Sequence, residues 1–504
     1  MSNVTTSVPR YTRFPAGQAG DGAAAAPEVD ATASAPRDLP ISGLNWLAAV
    51  FVVALILPVQ FSIGTLLLTP YRLVLVVSFI PLLAMFFMGK AGKILLIDWL
   101  ILFSTLWAVL ALGVNHPFGT IFETMGIYVL EFFGAYLLGR LTIRNARDFT
   151  RFSWVFFLVV LFLLPFAALE SFTNRAIYID LFPEGWQLRE VDAGMRLGLR
   201  RAQTGFVHPI LYGAFVSAAL GIAWFTIGNR GSAPLRAAVV GAATFFSMST
   251  GALVALVFQV IFIVYELTMK SMKRRWTLFA FGALAAYTIV DLLSNRTPFH
   301  VLVTYASFNS ASAYNRILIW DWGTHNVANN PIFGLGLNDW VRPSFMSSSM
   351  DNYWLVVAVR YGLPASLAYM TAVILLVRRA ARVPLADEMD KACRAGFLVS
   401  FGGLALAAGT VHYWLSIGAF FPFFIGAGVW LAEGRNLRIV TDPSTAEDQD
   451  ATITRSPASG PSPVGRRAPG AGPVRASAAA RSRSAPPTRR GASVASRGQR
   501  GRSA

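Results

Sequence analysis

Charge is scarce in this chain, and one kind of it is almost missing. Only 14% of its 504 residues are Asp, Glu, Lys or Arg, while 55% are hydrophobic, and the mean hydropathy is +0.52. That leaves too little polar surface for a water-soluble fold. Lysine is confined to Lys90, Lys93, Lys270, Lys273 and Lys391, and cysteine to Cys393. A lone cysteine excludes an intramolecular disulfide and any multi-thiolate metal site. The chain has no His-Glu-x-x-His and no Gly-x-x-x-x-Gly-Lys, and its one Asp-x-Asp, Asp448-Gln-Asp450, stands near the C-terminal end. Neither a metal nor a nucleotide cofactor is expected.

What the chain does have is a succession of apolar runs, each long enough to cross a hydrocarbon core of about 30 Å. They fall at roughly 43–63, 71–88, 94–112, 119–139, 152–170, 206–227, 233–248, 251–268, 276–294, 353–376, 393–411 and 413–432. The expected fold is an all-α polytopic integral membrane protein of about 12 transmembrane helices. Residues 1–42 are small and polar and lack the basic and apolar regions of a signal peptide. Residues 43–435 form the membrane domain, and 436–504 are expected to be a disordered tail, with ten arginines and no acid after position 460. Such a tail reads as a solvated segment that helps fix orientation, with contact to anionic lipid head groups as the alternative. Nucleic acid is not expected as a partner.

Loops carrying Lys90/Lys93, Arg140–Arg151, Arg230/Arg236, Lys270–Arg275 and Arg378–Arg394 fall on one side of this scheme. Positive charge marks that side as cytoplasmic. The opposite side holds two long loops, 171–205 and 295–352, with Arg175, Arg189, Arg196, Arg200, Arg201, Arg296, Arg316 and Arg342 and no lysine. Guanidinium presents a planar fork that grips phosphate oxygens two at a time, which an ammonium does not. Read as a helix, 187–202 puts Arg189, Arg196 and Arg200 on one face and Val191, Met195 and Leu199 on the other, as in a helix lying in the membrane interface. The plainer alternative pairs these arginines with Glu184, Glu190 and Asp192.

The second loop and the span after it read Arg316-Ile-Leu-Ile-Trp320, Asn330-Pro-Ile-Phe-Gly-Leu-Gly336, Asp351-Asn352 and Gly362-Leu-Pro364, and the first ends on Arg201-Ala-Gln-Thr-Gly-Phe-Val-His-Pro209. This order resembles the O-antigen ligase and O-antigen polymerase family of membrane glycosyltransferases. There an Arg and a Trp precede an Asn-Pro-x-x-Gly-x-Gly turn, and a His-Asn pair opens the next span ahead of Gly-Leu-Pro-Gly. The likeness runs over about residues 200–435. Two positions depart from it: the histidine before the asparagine is Asp351 here, and the acidic residue often found before Gly-Leu-Pro is Arg360. Asp98, Glu123 and Glu131 are the carboxylates in other spans that stand as possible partners of Arg360.

The resemblance implies a substrate, an oligosaccharide on undecaprenyl pyrophosphate, transferred at the periplasmic face of the bacterial inner membrane to another glycan or to lipid A-core. It also implies a setting among membrane lipids and other polysaccharide-assembly proteins. A pyrophosphate leaving group needs cationic stabilisation. Arg201 and Arg316 are the first candidates, with Arg196, Arg200 and Arg296 as further pyrophosphate contacts. A base near the acceptor hydroxyl falls to His208 or Asp351, although His208 also opens a helix and Asp351 is a good N-cap. Trp320, Trp340, Asn330 and Asn352 are candidates for the glycan, the indoles being equally suited to an interfacial belt. Gly334 and Gly336 read as turn residues. The competing class is a transporter or lipid-linked glycan flippase, but no half-to-half repeat is visible.

Overall fold

The computed structural model describes residues 43–64, 66–272, 274–295, 301 and 310–433. The expected terminal segments 1–42 and 436–504, and Arg296 with them, lie outside the described residues. The chain divides into two units, Met1–Val440 and Thr441–Ala504, and all that follows concerns the first.

Its helices are α1 (Asn45–Ile56), α2 (Pro70–Phe87), α3 (Leu96–Asn115), α4 (Phe118–Thr142, with a π turn at Val129–Gly134), α5 (Ala146–Thr173), α6 (Pro209–Phe225), α7 (Ala233–Phe246), α8 (Thr250–Thr268), α9 (Arg275–Leu293), α10 (Ser310–Asn329), α11 (Tyr353–Arg382), α12 (Glu388–Ala408) and α13 (Leu415–Glu433). There are also a one-turn helix at Ile177–Asp180, a 3-10 turn at Arg230–Ser232 and two small antiparallel hairpins, β1 (Phe61–Ile63) with β2 (Leu66–Leu68) and β3 (Met195–Arg196) with β4 (Leu199–Arg200). Among the described residues, eight helices are long and apolar enough to cross a membrane: α2, α3, α4, α5, α8, α11, α12 and α13. The other expected spans coincide with the shorter helices α1, α6, α7 and α9. The first of these stops at Ile56 instead of running to 63, because the chain turns extended at Leu57 and Pro58. It then feeds β1, whose approach is pinned where the Gln60 amide donates to the Trp186 carbonyl at 2.6 Å and the Leu188 amide to the Pro58 carbonyl at 2.9 Å.

Between Ser416 and Glu433, α13 carries no polar side chain except the indole of Trp430, and a helix apolar all round belongs in the interior. Phe420 packs on Phe156 and Phe215 (5.2 and 5.0 Å between ring centres), Phe423 on Phe51 and Phe152 (5.0 and 5.5 Å), and Phe424 on Phe397 (5.4 Å). One helix thus gathers α1, α5, α6 and α12. At one end of the bundle Arg140 is fully buried and donates to Asp98 (3.1 Å), Glu433 (3.4 Å) and the Lys93 carbonyl (3.0 Å), while Tyr136 donates to Asp98 at 2.6 Å. Buried charges are tolerated when paired and hydrogen-bonded in this way.

The expected loop 295–352 is not wholly irregular, since it contains α10. Ile319 of this helix joins Trp340, Met346, Met350, Leu355, Val356 and Val359 in a second apolar cluster. That cluster fastens α10 and the following loop to the first turns of α11.

Candidate active site

Residues 187–202 do not form the expected helix. Leu197 (φ 53°) and Gly198 (φ 76°) form a two-residue turn with both φ positive, the geometry that matches strand twist in a tight hairpin. Cross-strand partners are Arg196 with Leu199 and Met195 with Arg200. Partners share a face and neighbours along a strand alternate, so Arg196 and Arg200 point to opposite sides, with Arg201 back on the side of Arg196.

Their surroundings differ accordingly. Arg200 makes an ion pair with Glu190, approaches Glu170 at 3.6 Å and donates to the Asn174 carbonyl at 3.0 Å. It is neutralised, as the salt-bridge alternative has it, and is poorly placed to hold a pyrophosphate. Arg196 and Arg201 meet no carboxylate this closely among the described residues. Arg196 donates to the Met248 carbonyl at 2.7 Å and to Thr250 at 3.4 Å. Arg201, buried, reaches the Ser247 and Ala193 carbonyls only at 3.4 Å each. A guanidinium carries five N–H donors, so most of the donor capacity of Arg201 is unspent. The loop itself is clamped by Glu170, which accepts the amides of Gln203 (3.1 Å) and Thr204 (2.9 Å).

Electrostatics join these residues to the second loop. Burial pushes the Arg201 guanidinium down to about 10, Arg196 pushes the same way, and Asp351 opposes both. Arg316, on α10, is lowered by burial, raised by Asp351 and lowered again by Arg196. His208 is pushed down to about 4 by burial and then by Arg201. Five residues drawn from β3, the β4–α6 loop, α10 and the residue before the α11 cap are therefore linked by a chain of electrostatic interactions: His208 to Arg201, and Arg201 and Arg316 each to Arg196 and Asp351. Thr204, Met248 and Leu415 around them adopt positive φ without being glycine, a strain that folded chains tend to keep at functional sites.

Two residues take up different hydrogen bonds from those expected. Asn352, not Asp351, caps α11: its Oδ1 accepts the Leu355 amide at 3.1 Å, and the side chain is buried in that role instead of facing a glycan. Asp351 accepts the Ser349 hydroxyl at 2.9 Å. His208 caps α6 through Nδ1, which accepts the Ile210 amide at 3.1 Å. A neutral ring bonded in this way carries its proton on Nε2 and is a donor there. With its lone pair in the cap, His208 is a poor general base.

Trp340 is 7% exposed, donates its indole N–H to the Ser348 carbonyl at 3.1 Å and lies 5.4 Å beneath the Arg342 guanidinium. Its faces are occupied by the protein. Trp320, at 42% exposure, is the indole of the two that is presented. Asn330 shapes a turn, its carbonyl accepting the Gly334 amide at 3.2 Å.

That turn completes α11. Gly362 (φ 82°, ψ 172°) breaks the helix, so the Leu363 amide loses its partner four residues back, the Val359 carbonyl, and donates to the Pro331 carbonyl at 2.7 Å. Pro364 has no N–H to offer the Arg360 carbonyl. Leu335 and Gly336 fill both vacancies, donating to Val359 (2.8 Å) and Arg360 (2.9 Å). Gly334 and Gly336, both at φ 62°, permit this approach. The end of α3 holds the other side of the turn: Trp107 and Asn115 donate to the Ile332 and Phe333 carbonyls (3.0 and 3.2 Å), and His116 accepts the Leu337 amide at 2.8 Å.

Glu131 and Asp98, suggested partners for Arg360, bind Arg72 (2.7 Å) and Arg140 (3.1 Å) instead. Arg360 acts on His412, which is pushed down to about 3 by burial and then by that guanidinium. His412 and His208 both lie beside Trp414, at 5.5 and 6.0 Å between ring centres. Sequence reading missed His412 and Trp414, which stand in a short turn between two spans; the aromatic pair just after the histidine was the one signal there.

Residues 235–370 match the family model described as O-Antigen ligase. Over that stretch the chain is similar to the O-antigen ligase family. The matched stretch contains Met248 and Thr250, Arg316, Asp351 and the mated Asn-Pro and Gly-Leu-Pro turns, while Arg196, Arg201, His208 and His412 fall outside it. That match and the eight apolar helices support an integral membrane protein of surface-polysaccharide biosynthesis, and the matched family implies glycosyl transfer involving lipid-linked oligosaccharide and glycan acceptors. Among solved structures it is similar to a chain from the work "Structural coordination of polymerization and crosslinking by a peptidoglycan synthase complex", at 16% identity and TM-score 0.34, covering 68% of this chain and 98% of that one. No curated protein matches it.

Proposed function

We propose that the protein transfers an oligosaccharide from undecaprenyl pyrophosphate to a hydroxyl of a second glycan or of lipid A-core, as a ligase or a polymerase. The site is the periplasmic end of a twelve-span bundle in the bacterial inner membrane. The observation that carries this reading is that Arg201 and Arg316 both lie within electrostatic reach of Asp351 and of Arg196. Arg201 is buried with most of its donors unspent, which is costly unless an anion enters. A pyrophosphate supplies that charge, and its oxygens suit guanidinium forks.

In the reaction the bond from the sugar's anomeric carbon to the pyrophosphate oxygen breaks, and the electron pair leaves with undecaprenyl pyrophosphate. Arg201 and Arg316 stabilise the charge that develops there. The acceptor oxygen bonds to the anomeric carbon and yields its proton to Asp351, which has taken the place of the family's histidine. His208 donates from Nε2 to an oxygen of donor or acceptor, and Trp320 offers a face to a sugar ring.

The test is transfer by the purified protein from a synthetic undecaprenyl-pyrophosphate oligosaccharide. Arg316→Ala is expected to lower the rate about 100- to 1,000-fold and Asp351→Asn about 100- to 10,000-fold. Wild-type rates in both variants sink the reading. Products that lengthen by whole repeat units identify a polymerase, and a single transfer to lipid A-core a ligase.

A further inference from the structure

At the other end of α11, roughly 40 Å of helix from Asp351, lies a cavity of about 830 Å³ that this chemistry does not use. Its lining runs from Thr371, Ile374 and Leu375 to Arg378, Arg379 and Arg382, and Ala432 of α13 closes one side. No acidic residue is in the lining. The carboxylates nearest in sequence are engaged elsewhere: Glu433 accepts the Lys93 amide at 2.6 Å and pairs with Arg140, Glu388 pairs with Lys391 at 2.8 Å, and the Asp387 carboxylate accepts the Met389 amide at 2.8 Å. Arg378 and Arg382 stand one helical turn apart, where like charges repel.

The lining changes character along its length. The Thr371–Leu375 part is an apolar wall on the flank of a membrane helix, with Ile374 exposed, and the three arginines form its polar mouth. A free phosphate would use the mouth and leave the wall bare. An acyl chain joined to a phosphate uses both, and basic clefts between membrane helices suit such head groups. We propose that this groove is a binding site for an anionic phospholipid, its phosphate held by the forks of Arg378, Arg379 and Arg382 and one acyl chain lying along Ile374 and Leu375.

The full-length protein in neutral detergent provides the test. Phosphatidylglycerol added in mixed micelles is expected to raise the melting temperature, and phosphatidylcholine or inorganic phosphate to leave it unchanged. A triple Arg378→Lys, Arg379→Lys, Arg382→Lys variant keeps the charge that orients the helix but loses the forks. It is expected to need at least about tenfold more phosphatidylglycerol for the same shift. A triple glutamine variant is expected to lose the shift, and Arg151→Gln, an exposed arginine elsewhere, to retain it. An equal shift in wild type and the lysine triple means diffuse attraction and overturns the site, as does an equal response to inorganic phosphate.

Discussion

Arg200 and Arg201 are adjacent, yet strand alternation gives them opposite employment, and substitution separates the two roles. Removing Arg200 strips a counter-charge from Glu170, whose carboxylate is 1% exposed. Arg200→Ala is expected to cost about 1–3 kcal/mol of stability, read as a lower melting temperature, with transfer little changed in the protein that remains folded. Arg201→Ala is expected to do the reverse, leaving the melting temperature near wild type and lowering transfer about 100- to 1,000-fold. Indistinguishable effects of the two in both assays would remove the distinction. His208 makes a prediction in pH. Its folded value of about 4 lies below the ordinary 6.5, so between those values the unfolded chain takes up a proton that the folded one refuses. Stability is therefore complete above about pH 6.5 and erodes as pH falls toward 4. His208→Asn keeps a good helix cap and removes this term, so its melting temperature is expected to fall less than that of wild type between pH 7 and pH 5. Parallel declines would mean that the imidazole is not held neutral.

Elements are where sequence and structure part company most. Asn330–Gly336 and Gly362–Pro364 are visible in the sequence as two turns, and their glycines read correctly as turn residues. That the two turns bind each other was not legible, because the bonds between them run from backbone amides to backbone carbonyls and carry no side-chain identity. Residues 187–202 misled for a different reason. The spacing of Arg189, Arg196 and Arg200 satisfies a helical period, but Leu197-Gly198 supplies the two positive φ values of a hairpin turn, and so short a segment has no packing to enforce a helix. The mated turns can be tested directly. At φ 82° and ψ 172°, Gly362 lies in a region that is nearly closed to other residues, and a Cβ there meets the Ile332 carbonyl. Gly362→Ala is expected to cost about 1–3 kcal/mol from the backbone alone, and more because the Pro331–Gly336 turn must shift. The neighbouring Leu363→Ala, which keeps the amide bonded to Pro331, is expected to cost less. If the two melt alike, the break is not what holds the turn.

For the molecule as a whole, hydropathy found the membrane helices because a span is long and uniformly apolar whatever packs against it. It could not find α10, whose apolar residues are interspersed with polar ones and are buried only by Trp340, Met346 and the first turns of α11. The site escaped for a related reason: its members come from segments up to about 150 residues apart in the sequence, and nothing but the fold brings Arg201 to Asp351. What the charge pattern predicts is sidedness, and the proposed chemistry stands or falls with it, since a pyrophosphate-linked glycan awaiting transfer must face the arginines. The chain's single cysteine, Cys393, is buried, so new cysteines can be labelled without removing it. Leu197, 76% exposed at the hairpin tip, marks the arginine end, and Glu388, exposed at the start of α12, marks the other. In spheroplasts, Leu197→Cys is expected to react with a membrane-impermeant maleimide, and Glu388→Cys only after permeabilisation. The reverse pattern would put Arg196, Arg201 and Arg316 in the cytoplasm, where they could still bind a phosphate but could not serve transfer at the outer face.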